Sequence, residues 1–326
     1  MIEKRFMKIN ENIKIKYSFL KLLIASDLVL RRVPLMLVES TNPGPVLWLT
    51  ACIHGDEVSG IVIIQEIFKI IKKTLLKGKV FAFPLLNPIG FEHSSRFITL
   101  SEEDLNRSFP GKKEGTLSER IAYQIFNKII ETKPTLVLDL HNDWIRSIPF
   151  TLIDYGEDII HTEAYEKSKI FAKQTGLLPI IDTEEIPKSL SYSLIKNGIP
   201  SLTLELGEPY IINEKSVEIG VKSVMNILRD LEMVESTEKP FIYPLPEELL
   251  NKFLKYSFQA SSTSGIIRFY IKPGDMVKKG QVVAKTYNAF GKLQETITAL
   301  KDGIVLGHED YSVAYPGAQV VSFGTF

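Results

Sequence analysis

Apolar runs of strand length alternate with segments of helical period through about the first 230 residues, and this alternation, more than any single motif, limits what the chain can fold into. Residues 28–39 and 45–53 are rich in Val, Ile and Leu and are separated by the turn-like Thr41-Asn42-Pro43-Gly44, so both read as strands. From Glu57 the segment EVSGIVIIQEIFKIIKK carries apolar residues at helical spacing and closes on lysines suited to the negative end of a helix dipole. A strand over 80–86, an irregular stretch over 87–115, a helix over 117–130 and the buried-type strand TLVLDL leading into His141 come next. The pattern continues with the strand PFTLID, helices near 163–175 and 190–196, the strand SLTLEL and a helix over 214–231. The fold class this predicts is α/β, a mostly parallel or mixed sheet with helices on both faces.

The pattern breaks over residues 236–246, where STEKPFIYPLP brings three prolines and loses both periods, and a linker is expected there. It divides the 326 residues into a larger domain, 1–235, and a smaller one, 247–326. The smaller reads as short strands punctuated by Gly265, Pro273-Gly274-Asp275, Gly280, Gly291, Asp302-Gly303 and Gly317, an all-β, barrel-like module whose helical content is confined to 247–256. Lys plus Arg and Asp plus Glu both number 39, so no net field draws the protein to phosphate backbones or anionic lipid, and neither nucleic acid nor a membrane is an expected partner. The most apolar early stretch, 19–30, is interrupted by Lys21 and Asp27 and is too short to span a bilayer. A single cysteine, Cys52, cannot close an intramolecular disulfide, and no secretory signal is read, so the cytoplasm is the default compartment.

Chemistry enters where the second strand runs into its helix, at Ala51-Cys52-Ile53-His54-Gly55-Asp56-Glu57. This places an imidazole and a carboxylate three apart at the carboxyl end of a strand, where open α/β sheets bind ligands, with Gly55 permitting a sharp turn. Taken alone, the pair equally suits a surface histidine and a first-turn carboxylate. His141 changes the weight, because it ends another core strand and arrives at the same edge of the sheet. Two imidazoles and one carboxylate, His54, Glu57 and His141, make the ligand set of a catalytic zinc site, one ion per chain, with a fourth position for water. Asp139 shares a strand face with His141 and either orients that imidazole or is a buried, paired carboxylate. Cys52 reads as a buried strand cysteine and not as a nucleophile.

A hydrolase also needs a proton shuttle outside the ligand set. Glu205, near the end of SLTLEL, is a carboxylate in an apolar strand where burial without purpose is costly; Glu208, beyond Gly207, reads as solvated. In the long irregular stretch, Arg96 suits the oxyanion of a tetrahedral intermediate, and Arg107 beside Asn106 suits a forked grip on a substrate carboxylate. For either arginine alone, a surface charge is the simpler account. His93 reads as loop structure, and His161 and His308 carry no assigned part.

Together, His54-Gly55-Asp56-Glu57, Asn87-Pro88, Arg96, Asp104-Leu105-Asn106-Arg107, Asp139-Leu140-His141-Asn142 and Glu205-Leu206-Gly207 stand in the order of the succinylglutamate desuccinylase/aspartoacylase family. Over residues 28–231 the chain resembles these zinc carboxypeptidase-like deacylases. The resemblance implies zinc on His54, Glu57 and His141, Glu205 as general base and acid, Arg96 polarising the scissile carbonyl, and Asn106 with Arg107 holding the substrate carboxylate. The implied reaction is hydrolysis of the amide bond of an N-acyl amino acid or related small carboxylate. The second domain resembles the barrel of deacylases in the same family, and its PGDMVKKGQVV and ALKDGIV strings are similar to biotinyl and lipoyl modules. Lys292 lacks the Met-Lys-Met or Asp-Lys-Ala context of a modified lysine and is expected to stay unmodified. Two further readings stand beside this one, a zinc carboxypeptidase acting on peptides and a non-enzymatic carrier or assembly protein working through the β module. The sequence leaves assembly into a homo-oligomer open.

Overall fold

The computed structural model describes residues 12–24, 28–236, 239–250 and 252–326. In chain order, β1 (Ile13–Ile24) pairs antiparallel with β2 (Leu30–Ser40), and β3 (Val46–Ala51), α1 (Ser59–Thr74), β4 (Lys79–Phe83), α2 (Pro88–Glu92), α3 (Leu117–Ile130) and β5 (Leu136–His141) follow. Next come β6 (Arg146–Ser147), β7 (Phe150–Tyr155), α4 (Glu163–Gln174), β8 (Leu178–Glu185), α5 (Leu190–Lys196), β9 (Ser201–Glu205) and α6 (Glu214–Asp230). The C-terminal strands are β10 (Leu254–Ala260), β11 (Gly265–Phe269), β12 (Met276–Val277), β13 (Val282–Tyr287), β14 (Leu293–Thr298), β15 (Gly303–His308), β16 (Val313–Ala314) and β17 (Gln319–Thr325). The strands and helices expected between 28 and 231 all form, with ends moved by a few residues; β1, β6, β8 and the short α2, inside the stretch expected to be irregular, are additional. The helix expected over 247–256 does not form. A single 3-10 turn at Glu247–Leu249 gives way to β10, whose pairing with β8 and β17 supplies hydrogen-bond partners that an isolated short helix would lack.

Among the described residues, 13 strands share one sheet, in the order β1-β2-β4-β3-β5-β9-β7-β8-β10-β17-β15-β12, with β6 against β15. β4, β3, β5 and β9 run parallel, whereas β7, β8 and β10 are parallel to one another and opposed to β9. Period-two alternation sorts the side chains between two cores. Leu136, Leu138 and Leu140 of β5 join Leu47 and Leu49 of β3 under Ile63 and Ile67 of α1 and Val224 and Ile227 of α6. Trp48 and Val137 face the other way, with Phe83, towards Ile121 and Ile125 of α3 and Leu190 and Leu194 of α5. Asp139 and His141 therefore share the face of Val137, on the α3 and α5 side.

Of the expected linker, Thr237 and Glu238 lie outside the described residues. Further along, the Asn226 side chain both accepts from Phe241 N (3.0 Å) and donates to Phe241 O (2.7 Å), and Tyr243 N donates to Gly176 O (2.8 Å), so this segment is pinned along the α/β layer. The antiparallel sheet β14-β13-β11-β16 packs through Ile267, Val283 and Ile297 against Val305 of β15 and Val320 and Phe323 of β17. Lys292 sits exposed at the tip of the β13–β14 hairpin. No helix among the described residues is long and apolar enough to cross a membrane.

Candidate metal centre and its pocket

Three donors meet where β3 and β5 end. Nitrogens of His54 and His141 and a carboxylate oxygen of Glu57 lie within 4.8 Å of one another, and all three residues are buried. His54 Nδ1 stands 2.6 Å from Glu57 Oε1, and His141 Nδ1 stands 2.9 Å from Glu57 Oε2, which also accepts from Asn142 N at 3.1 Å. The turn that delivers His54 differs from its sequence expectation. The left-handed conformation falls on Cys52 (φ 54°), and Gly55 is required by space instead: a Cβ there would come within 2.0 Å of Gly90 C and 2.2 Å of Phe91 N. Glu57 precedes α1, which begins at Ser59, so its carboxylate is placed by the turn and not by a helical turn. Burial pushes the Cys52 thiol up, with the Glu57 and Asp56 charges adding to it, and its Sγ faces Gly55 O at 3.7 Å.

The outward nitrogen of each imidazole meets an aspartate. His141 Nε2 lies 2.9 Å from Asp139 Oδ2, and Asp139 is itself held by the Thr50 hydroxyl at 2.6 Å; of its two expected roles, Asp139 orients the imidazole. His54 Nε2 lies 3.2 Å from Asp104 Oδ1. With Nε2–H directed at the aspartates, both Nδ1 atoms are left beside Glu57 to bind a cation. Burial opposes a charge on Glu57, yet the two imidazoles hold its carboxyl well below the usual range. Burial likewise opposes a charge on His141, yet Glu57 and Asp139 hold its imidazole well above its ordinary value. A buried group that carries three carboxylates around two imidazoles retains net negative charge that a divalent ion balances, and the donor set thus fits one.

Asp104 was not given a part by sequence reasoning, and it ties the site to the long loop. Its Oδ2 accepts from Arg96 Nε (3.1 Å) and Nη2 (3.0 Å), which swings Arg96 Nη1 to 3.8 Å from Glu57 Oε1. Burial raises the Asp104 carboxyl, but His54 and Arg96 outweigh it and hold the group well below the carboxylate range. Glu205 is paired in register with His141 across β5 and β9, and its Oε2 has no hydrogen-bond partner. Burial pushes its carboxyl up to about 8; His141 moderates this while Asp143 and Glu57 add to it. Glu208 points elsewhere, accepting from Asn213 Nδ2 at 2.8 Å. Asn106 is partly committed, since its Oδ1 accepts from Leu190 N at 2.8 Å, whereas Arg107 is exposed with Nη1 on Asn106 O at 2.9 Å. His93 serves loop structure, with Nδ1 2.8 Å from Ile89 O, and His308 stacks on Phe269 away from the site.

His54, Glu57, Arg96, Asn106, Arg107, His141 and Glu205 thus line one pocket of about 170 Å³. Asp143, Asp154, Asp182 and Ser189 line it too, and sequence reasoning passed over all four. Asp154 gives the same signal as Glu205, an acid closing an apolar run, and was available to it. A second cavity of about 430 Å³ forms the mouth, where Glu57, Arg96 and Tyr210 face Glu309, Asp310 and Tyr311 from the loop after β15. Asp310 accepts from Ile145 N (3.0 Å) and Arg146 N (3.3 Å), which locks that loop beside the site. A larger cavity of about 470 Å³, walled by Leu22, Leu30, Leu86 and Ile121, is apolar and lies away from the donors.

An α/β sheet whose strand ends gather two imidazoles, a carboxylate and an adjoining buried glutamate defines a class, that of α/β proteins with a candidate metal centre at the sheet edge. The chain belongs to the succinylglutamate desuccinylase/aspartoacylase family, whose catalytic-domain model matches residues 43–231. It is 27% identical over 290 residues to the N-alpha-acetyl-L-2,4-diaminobutyric acid deacetylase of Halomonas elongata, covering 84% of this chain and 80% of the relative. It is 26% identical over 305 residues to the succinylglutamate desuccinylase of Pseudomonas syringae pv. tomato, covering 87% of this chain and 80% of that one. The fold matches the product-bound ectoine utilization protein of Ruegeria pomeroyi with a TM-score of 0.80 at 21% identity, over 98% of each chain.

Proposed function

We propose that the protein is a zinc-dependent deacylase that hydrolyses the amide bond of an N-acyl amino acid or related small carboxylate. The observation that carries this is a carboxylic acid, Glu205, standing unpaired beside a buried His-Glu-His group in a pocket of about 170 Å³. The curated relatives, a deacetylase and a desuccinylase, act on bonds of this kind. Zinc would be held by His54, Glu57 and His141, and when bound it supplies Lewis acidity at a carbonyl oxygen and lowers the pKa of water. Asp139 and Asp104 keep the imidazoles in the tautomer that offers Nδ1. Glu205 accepts a proton from the attacking water as its oxygen adds to the carbonyl carbon. It returns that proton to the amine nitrogen as the C–N bond breaks. Arg96, held by Asp104, presents its guanidinium to the developing oxyanion, and Arg107 with the free amide end of Asn106 anchors the substrate carboxylate.

Metal analysis and a panel of N-acetyl amino acids against short peptides test this. We expect one zinc per chain, loss of activity on chelation, faster turnover of the N-acetyl amino acids, and a Glu205→Gln variant that keeps its zinc while kcat falls by about 100-fold or more. Turnover near wild type in that variant removes Glu205 from the reaction.

A further inference from the structure

Strand β1, 12 residues long, ends the large sheet, and among the described residues no strand pairs with its outer side. A long free edge offers its unpaired N–H and C=O groups as a template to another chain. The opposite end of the same sheet is β12, Met276–Val277, which is too short for that use. β1 also carries uncovered apolar surface. Ile15, Tyr17 and Phe19 alternate onto one face and are 40%, 66% and 56% exposed, with only the Arg32 guanidinium, 4.5 Å from the Phe19 ring, recorded against them on that face. Their partners on β2 are Val38, Met36 and Pro34.

A two-fold axis perpendicular to the sheet brings β1 of a second copy alongside, antiparallel and with the same face upward. Residues directly opposite each other in an antiparallel pair share a face, so odd-numbered positions meet odd-numbered ones and a single residue lies on the axis. The pairing of β1 with β2 is regular from Ile13 to Lys21 and shifts register beyond it. Tyr17 is the midpoint of that regular part and also of the exposed triplet. With the axis on Tyr17, the two Tyr17 rings stand opposite each other and each Ile15 faces a Phe19, so every exposed apolar side chain of the triplet meets another. Lys14, Lys16 and Lys21 then face Leu20, Ser18 and Ile13, and no lysine is set directly against a second one. An axis on Lys16 would oppose two ammonium groups at close range.

From this self-complementarity we infer that the protein is a two-fold dimer in which β1 of each copy pairs antiparallel with β1 of the other about Tyr17, joining the two large sheets into one. The paired edge is roughly 30 Å long and 10 Å thick, and the uncovered parts of Tyr17 and Phe19 add on the order of 200 Å² per copy. The pair thus buries about 1,000 Å², with about ten backbone hydrogen bonds, the lower end for a specific interface. The contact closes on itself: it uses the long edge of each sheet and leaves only β12 at the far ends, which gives a dimer and not a fibre. The two Lys16 side chains are diagonal neighbours roughly 7–8 Å apart, so salt screens a repulsion and tightens the association.

Sedimentation equilibrium of the full chain tests this, with a mass of twice 36.9 kDa expected. Tyr17→Lys sets two lysines opposite each other and should weaken association by about 30-fold or more while leaving the circular dichroism spectrum unchanged. Ile170→Lys, at an exposed apolar position of α4, should leave association as it is. Under mild oxidation Tyr17→Cys should link the two copies, because Cα atoms directly opposite lie about 4.5–5.5 Å apart, within reach of a disulfide. Ser18→Cys, which faces Lys16, should not link them, and the buried Cys52 does not compete. A full chain that stays monomeric up to about 100 µM overturns the proposal, even where removal of residues 1–11 makes it dimerise. A dimer that tolerates Tyr17→Lys, or one linked through Ser18→Cys and not through Tyr17→Cys, overturns it as well.

Discussion

Glu205 and Asp182 are both strand-end carboxyls raised by burial, yet only Glu205 stands beside the imidazoles. For Asp182 the consequence is a dependence of stability on pH. Its folded-state value of about 6 exceeds the ordinary 3.8, so the fold prefers the protonated form, and ionisation destabilises it progressively as pH rises between those values. Asp182→Asn keeps an acceptor for Thr183 N and Glu184 N while removing the charge, and should raise stability at pH 7.5 by about 1–3 kcal/mol, with most of the gain gone by pH 4. Urea unfolding at the two pH values checks this; a variant no more stable than the parent at pH 7.5 contradicts it. At this scale Glu205, His54, Glu57 and His141 were legible because acids and imidazoles closing apolar strands are conspicuous. Asp182 was not, because β8 itself went unread, and Asp104 was not, because its value lies in reaching His54 and Arg96 at once.

The turn between β3 and α1 is the element that makes the site. Gly55 lies so close to the α2 backbone that no side chain fits, and its N–H donates to Ser95 O at 2.9 Å. Gly55→Ala should therefore displace either the turn carrying His54 and Glu57 or α2, at a cost of about 3 kcal/mol or more. The urea midpoint should fall clearly below that of the parent, and an unchanged midpoint would sink this account. The helices 117–130 and 190–196 were legible from their apolar period, and in the fold Thr116 and Ser189 cap them from the side chain. The start of α1 was not: Val58 caps it without a side-chain bond, so apolar periodicity ran on backwards through Glu57.

At the scale of the molecule, β10 joins β8 in parallel and carries β17 and β15 with it, so backbone hydrogen bonds run without a break from the α/β layer into the C-terminal strands. We expect one cooperative unfolding transition in which tryptophan fluorescence and far-UV circular dichroism share a midpoint. A separate early transition of the β-rich part would contradict it. The composition of residues 236–246 suggests a tether because prolines abolish periodicity, but periodicity carries no information about the hydrogen bonds that Asn226 and Gly176 make with Phe241 and Tyr243.

The order of strands and helices, and the imidazoles and acids that close the strands, were determined by the sequence, since each rests on local period and on the cost of burying a charge. Register, the place of Asp104 behind His54, the convergence of Asp154 and Asp182 on the pocket and the loop that Asp310 fastens at its mouth were decided by the tertiary structure alone. Those depend on which strands become neighbours, and pairing between distant segments leaves no periodic mark on either one.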